Sequence, residues 1–269
     1  MPQGDESFMF IDSHSHFNLC IDEGATEEEL LQQMSANHVL HAVQVSTDAA
    51  NFTWSREFSN KHPHILYTLG IHPSSDYTDD DFVRMEQIVE ESVSEGERLF
   101  GIGETGLDYH WMAHPRETQM ENFSSHIEIA GKYGLPLIVH NRDAHEDAYY
   151  VLKSMDTAAV IIHCFSGTKD DAKRFLDLGY YISFAGNVTF KKAVELQDAL
   201  AYVPADRILF ETDCPFLTPV PHRGKKNRPD YVRYVYQFAA DYRNEDVEYL
   251  KDAVCANFSR ISPVELTTE

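Results

Sequence analysis

Cysteine is scarce: the chain of 269 residues has four, Cys20, Cys164, Cys214 and Cys255, and no two stand in CxxC spacing. Such usage points to buried, reduced thiols in a reducing compartment rather than to disulfides. Cys164 and Cys214 each follow a residue with metal-ligand chemistry, and alternation along a strand would turn both outward beneath the helices. Basic residues are also few. Lys and Arg number 22 against 44 Asp and Glu, a formal charge of −22. That balance argues against a broad surface for gripping duplex DNA, but not against a pocket for one or two phosphates. No apolar run is long enough to span a bilayer. The first residues, MPQGDESFMF, lack the basic region and apolar stretch of a signal peptide. A cytoplasmic protein without a membrane partner is the expectation. Linkers, low-complexity tracts and internal repeats are absent from the sequence too, so residues 1–269 read as one domain.

What the chain does have is a recurrent pattern. Strand-like stretches fall at 8–16, 40–46, 65–71, 98–104, 136–140, 159–163, 180–184 and 207–213. Segments of helical composition and period lie between them, such as Thr26 to Asn37, Arg116 to Tyr133 and Asp143 to Met155. Two more helices, Pro229 to Tyr242 and Asp246 to Phe258, are expected beyond a polar loop after the eighth stretch. The strands read as continuous apolar runs (Leu137, Ile138, Val139; Val160, Ile161, Ile162), as a parallel sheet covered on its outer face requires. Eight strands alternating with helices predict an α/β fold, a single (β/α)8 TIM-type barrel.

Six residues with metal-ligand chemistry sit at the ends of these stretches. They are His14 and His16 in IDSHSHF, Glu104 in GIGETGLDY, His140 in PLIVHNRDA, His163 in VIIHCFSG and Asp213 in ILFETDCPF. A barrel gathers the C-terminal ends of its strands on one face, so ligands distant in sequence meet there. His14 and His16, two apart on a strand, share a face. A carboxylate can bridge two cations through its two oxygens, a capacity Glu104 has. Its neighbours Gly101, Gly103 and Gly106 let other groups approach it closely. Asp213 suits two tasks, terminal ligand and base for a water whose pKa a metal has lowered. Any one of the six, taken singly, reads equally as a satisfied polar residue. All six at strand ends predict a two-metal hydrolytic centre. Asp12, just before His14, reads as structural, and Glu211, two before Asp213, as a buried group that orients ligands.

The stretches DSHSHF, GIHPSS, GIGETGLDY, GLPLIVHNRDA, VIIHCFSG, ISFAGN, ETDCPFLTP and RGKKNRPDYV run in order from about Phe10 to about Arg260. Together they resemble the TatD family of metal-dependent deoxyribonucleases, within the amidohydrolase-like metallohydrolases. HxH is shared widely, whereas GETGLDY, HCFSG and ETDCP are far more specific. The resemblance implies two divalent ions (zinc, magnesium or manganese) at the C-terminal ends of the barrel strands. His14, His16, Glu104 and Asp213 would hold one, and Glu104 would bridge to a second completed by His140 and His163. Many relatives in the wider superfamily bridge their metals with a carboxylated lysine on strand four. No lysine lies near Glu104, which takes that role here. Asn18 departs from the pattern, standing where the family often has an aspartate.

Further residues are candidates for substrate contact. His72 in GIHP and Asp108 in GLDY are expected just past strands three and four. Arg142, two beyond His140, is placed either to meet a phosphate or to pair with Asp143 or Glu104. The loop after strand eight gathers Arg223, Lys225, Lys226 and Arg228, either to hold a short nucleic-acid end or as a solvated charge run. Tyr109, Trp111 and Phe216 are candidates to stack on bases or to pack under loops. The expected function is a deoxyribonuclease, most simply a monomeric exonuclease on single strands or ends, with Asp213 and Glu104 as catalytic residues. The same centre could instead hydrolyse a carboxylic ester or amide, for instance an aminoacyl-tRNA ester. A metal-stabilised barrel without activity is a further alternative.

Overall fold

A computed structural model of the chain describes residues 9–155 and 158–266. Its strands are β1 (Phe10–Ser15), β2 (Val39–Val45), β3 (Ile65–Leu69), β4 (Leu99–Asp108), β5 (Leu137–Arg142), β6 (Val160–Ile162), β7 (Tyr181–Phe184) and β8 (Ile208–Phe210). The helices are α1 (Phe17–Asp22), α2 (Glu27–Ala36), α3 (Phe52–Lys61), α4 (Asp79–Glu95), α5 (Arg116–Tyr133), α6 (His145–Lys153), α7 (Lys169–Asp177), α8 (Val194–Tyr202), α9 (Val232–Arg243) and α10 (Val247–Ile261). All neighbouring strands pair in parallel, in chain order from β1 to β8. The last turn of the barrel is closed by the segment beyond β8. Asp213 N donates to His14 O at 2.9 Å, and His16 N donates to Cys214 O at 3.0 Å. The result is the (β/α)8 TIM barrel that the alternating pattern predicted.

Local sequence explains the elements. Thr26 with Glu29, and Thr168 with Asp171, form reciprocal caps that open α2 and α7. Strands β3, β6 and β8 are buried along their whole length, because helices cover the outside and side chains fill the inside. The Tyr236 hydroxyl of α9 donates to Ile11 O at 3.0 Å, tying the first strand to a late helix. Among the described residues, no helix is long and apolar enough to cross a membrane.

Several boundaries differ from expectation, and the reasons are physical. β4 does not end at Glu104 but continues to Asp108, pairing Gly106 with His140 and Asp108 with Arg142 of β5. Glu104 is therefore buried in mid-strand, and Asp108 is the last strand residue rather than a loop residue. Glycine makes this possible: a Cβ at Gly106, whose φ is +140°, would stand 2.0 Å from His140 O. β5 likewise runs two residues past His140. Residues 229–231 form a separate 3₁₀ turn opening with Pro229, so α9 begins at Val232. The first expected strand began at residue 8, which lies outside the described residues.

The thiol prediction holds in part. All four cysteines are free, but only Cys20 and Cys214 are buried; Cys164 is half-buried and Cys255 exposed. The alternation argument for Cys164 and Cys214 does not apply. Both lie beyond their strands, Cys164 in a residue of φ 42° and Cys214 after Asp213 at φ 54°.

Candidate metal centre

The seam of the barrel builds the first donor cluster. His14 is in β1, His16 follows it, and Asp213 is delivered beside both by the closing backbone hydrogen bonds. His14 Nε2 lies 3.3 Å from His16 Nε2, and His16 Nε2 lies 3.2 Å from Asp213 Oδ1. From β4, Glu104 Oε2 reaches to 3.3 Å from His14 Nε2 and 3.8 Å from His16 Nε2. The other oxygen of the same carboxylate serves a second cluster. Oε1 lies 2.7 Å from His163 Nε2 and 2.9 Å from His140 Nδ1, and those two nitrogens are 3.4 Å apart. The His14 and His163 rings stack at 3.9 Å between the two groups. All six sequence candidates are thus brought together.

These distances suit metal ions. With bonds of about 2.1 Å, two donors on one ion stand roughly 3.0 Å apart in octahedral and 3.4 Å in tetrahedral geometry. The donor spacings just given fall around those values. Three of the four outward ring nitrogens are committed elsewhere, which leaves the inward ones free, whereas His14 Nδ1 is buried without a partner among the described residues. His16 Nδ1 donates to Val45 O at 2.9 Å, His163 Nδ1 to Glu211 Oε1 at 3.2 Å, and His140 Nε2 to Asp108 Oδ2 at 3.0 Å. Since carbonyls and carboxylates can only accept, each neutral ring presents an unprotonated nitrogen to the centre. Fully buried Glu211 also accepts Cys164 N at 2.9 Å, bearing out its expected orienting place. Asp12 is structural as expected: it accepts Thr212 N and the Thr212 hydroxyl, next to Asp213.

Without metal, the centre is a buried array of charges. Burial opposes ionisation of Glu104, but His163, His72, His14 and His140 around it hold its carboxyl well below the usual range. Burial likewise opposes protonation of His16, yet the hydrogen bond and charge of Asp213 lift it to about 9. His163 is raised well above its ordinary value by Glu104 and Glu211, again against burial. His14 is lowered, by burial and then by the neighbouring charge of His163.

The substrate candidates divide. His72 lies beyond β3, with Nε2 3.6 Å from Glu104 Oε1. Its Nδ1 accepts Ser74 N–H at 3.1 Å, so the neutral ring carries its proton on Nε2 and aims a donor at the centre. Burial, and then the charge of His140, push its pKa down to about 3, which keeps the ring neutral. Asp108, apart from holding His140, accepts the N–H groups of His110 and Trp111 at 3.0 and 2.9 Å. Arg142 pairs with neither Asp143 nor Glu104: Asp143 goes to His110 at 3.1 Å, and the Arg142 guanidinium lies 5.7 Å from the Trp111 ring centre. In the basic loop, Arg223 covers the Phe190 ring at 4.2 Å, Lys226 meets Glu23 at 3.5 Å and Arg228 meets Asp230 at 3.0 Å. Lys225 has no acidic partner among the described residues. Tyr109 is half-buried and donates to Asp147 at 2.7 Å, which takes it out of the stacking set. Asn18 is buried and accepts Gln44 Nε2 at 3.0 Å, a link between α1 and β2.

Three residues that support the site went unrecognised in the sequence. Gln119, Asn122 and His126 of α5 are almost wholly buried. Gln119 exchanges hydrogen bonds with Asp108 N (2.8 Å) and Asp108 O (3.1 Å). Asn122 donates to Ile71 O at 3.0 Å, and His126 Nε2 accepts Ile71 N at 2.9 Å. One helix face thereby holds the backbone at Asp108 and next to His72. The available signal was their spacing of three and four, which puts three polar residues on one face of a covered helix.

Barrel and site together define a metal-dependent hydrolase. A family model described as TatD related DNase matches residues 11–262, and the chain belongs to that family. It is 37% identical over 258 residues to an uncharacterized metal-dependent hydrolase of Bacillus subtilis, YabD, covering 94% of this chain and 98% of that protein. The uncharacterized metal-dependent hydrolase YcfH of Escherichia coli K12 is 34% identical over 259 residues, covering 95% and 96% of the two chains. Among solved structures, YjjV, a TatD homologue of Escherichia coli K12, superimposes with a TM-score of 0.86 at 27% identity, over 95% of this chain and 98% of that one.

Proposed function

We propose that this hydrolase cleaves phosphodiester bonds of DNA, acting on single strands or frayed ends as an exonuclease with two divalent ions. The observation that carries the reading is the division of Glu104 between two donor clusters, one oxygen to each. Divalent ions held there, zinc, magnesium or manganese, supply positive charge that stabilises the transition state and lowers the pKa of water. His14, His16, Glu104 and Asp213 form one ligand set, and Glu104, His140 and His163 the other. Asp213, the least buried of the two carboxylates, takes the proton of the attacking water. His72 donates its Nε2–H to a non-bridging phosphate oxygen, and Arg142 and Lys225 neutralise flanking phosphates. DNA is favoured as substrate by the family description and by these unpaired cations in an otherwise acidic chain.

The test is release of nucleotides from end-labelled single-stranded DNA by protein stripped of metal and resupplied with magnesium, manganese or zinc. Metal-dependent release is expected, and its loss in Glu104→Ala. Hydrolysis of an uncharged carboxylic ester with no cutting of any oligonucleotide would transfer the centre to acyl chemistry.

A further inference from the structure

Two large aromatic side chains stand exposed beside the centre, one tied to each donor cluster. Phe216 is 51% exposed. Its ring meets the His16 ring edge-on at 6.3 Å, at the Oε2 end of Glu104. Its backbone is fixed on both sides, N to Asp213 O at 3.0 Å and O to Asn227 Nδ2 at 2.6 Å. Trp111 is 68% exposed. It belongs to the Oε1 end, through Trp111 N to Asp108 and Asp108 to His140. Neither ring packs under a loop, although each loop is anchored by hydrogen bonds. Two cations lack an acidic partner among the described residues: Arg142, whose guanidinium lies 5.7 Å from the Trp111 ring centre, and Lys225, further along the loop that carries Phe216, where Thr218 donates to Lys225 O at 2.6 Å.

An exposed aromatic face beside an unpaired cation is the combination that binds a base and its phosphate in single-stranded nucleic acid. In hydrolysis one nucleoside departs on the oxygen opposite the attacking water, while the other stays on phosphorus through an oxygen that neither attacks nor leaves, so the two nucleosides extend from the scissile phosphate in different directions. We propose that Phe216 and Trp111 are base platforms on opposite sides of the scissile phosphate, with Lys225 and Arg142 on the adjoining phosphates. The inference rests on the nuclease reading above and narrows it: the substrate is unpaired on both sides of the bond that is cut. A base stacked between its neighbours in a duplex has no free face for either ring.

The sequence has two tryptophans, so Trp54→Phe leaves Trp111 as the one fluorescent indole. A phosphorothioate-linked oligothymidylate, which resists cutting, is added to this metal-loaded protein, and in parallel an abasic strand of equal length and charge. Oligothymidylate should quench the Trp111 emission and the abasic strand should not. Trp111→Ala and Phe216→Ala should each raise KM for single-stranded DNA about 5- to 100-fold while kcat and metal content stay near wild type. Unquenched emission with the phosphorothioate strand from a protein that cleaves the phosphodiester strand of the same sequence, or wild-type KM in both variants, overturns the platforms and leaves the nuclease reading intact. A wild-type protein that cleaves no oligonucleotide overturns both.

Discussion

A histidine serves a metal only through a nitrogen that carries no proton, and three of the four here have that nitrogen selected by the bond on the other side of the ring. Protons nevertheless occupy the metal-free centre, since Asp213 lifts His16 to about 9 against burial. A raised pKa means that below about 9 the proton favours the metal-free form. Metal affinity should therefore rise with pH up to that value. Filling the first cluster near neutral pH should release at least one proton, read by calorimetry in buffers of different ionisation enthalpy. Heats independent of buffer would overturn this. The six clustered donors were legible from their types and from lying at or near the ends of apolar runs, although Glu104 stands in mid-strand. The donor role of His72 was not, because it depends on which ring nitrogen the Ser74 N–H reaches.

At the scale of elements, the strand and helix order was readable from apolar periodicity, and the end of β4 was not. Glycine, threonine and aspartate from Thr105 to Asp108 look like loop, yet they pair with β5 because glycine permits the close approach. Helix α5 was readable as a helix, but the burial of its polar face was not. Its Gln119, Asn122 and His126 resemble an exposed polar face, but they are buried against backbone groups that secondary structure leaves unpaired. His126 is kept neutral there, its pKa pushed down to about 4 by burial. His126→Ala strips Ile71 N–H of its acceptor and should cost about 1–3 kcal/mol of stability in urea unfolding. Turnover should fall with it, through a loosened His72, while metal content holds. An unchanged unfolding midpoint would show that the helix merely covers the loop.

For the whole molecule, net charge limits how substrate is held. A chain of −22 repels a polyanion except where cations lack local partners, and Arg142 and Lys225 are two such positions at the mouth. Each phosphate neutralised on a single strand contributes about 0.7 to the slope of log affinity against log salt. Two contacts give a slope of about −1.4, to be measured with the uncleavable oligothymidylate. A slope twice as steep would mean a wider electrostatic footprint than these residues provide.

The seam that closes the barrel has a consequence for how the protein comes into being. His16 and Asp213 are 197 residues apart and meet only when the stretch after β8 docks on β1. On the ribosome, a chain that has made its first histidines and Glu104 still lacks the Asp213 carboxylate until nearly the whole barrel has emerged. A half-made or prematurely ended chain can offer a metal only part of a cage. The full donor set therefore arrives only with the completed fold, and an unfinished copy carries no more than a fragment of it.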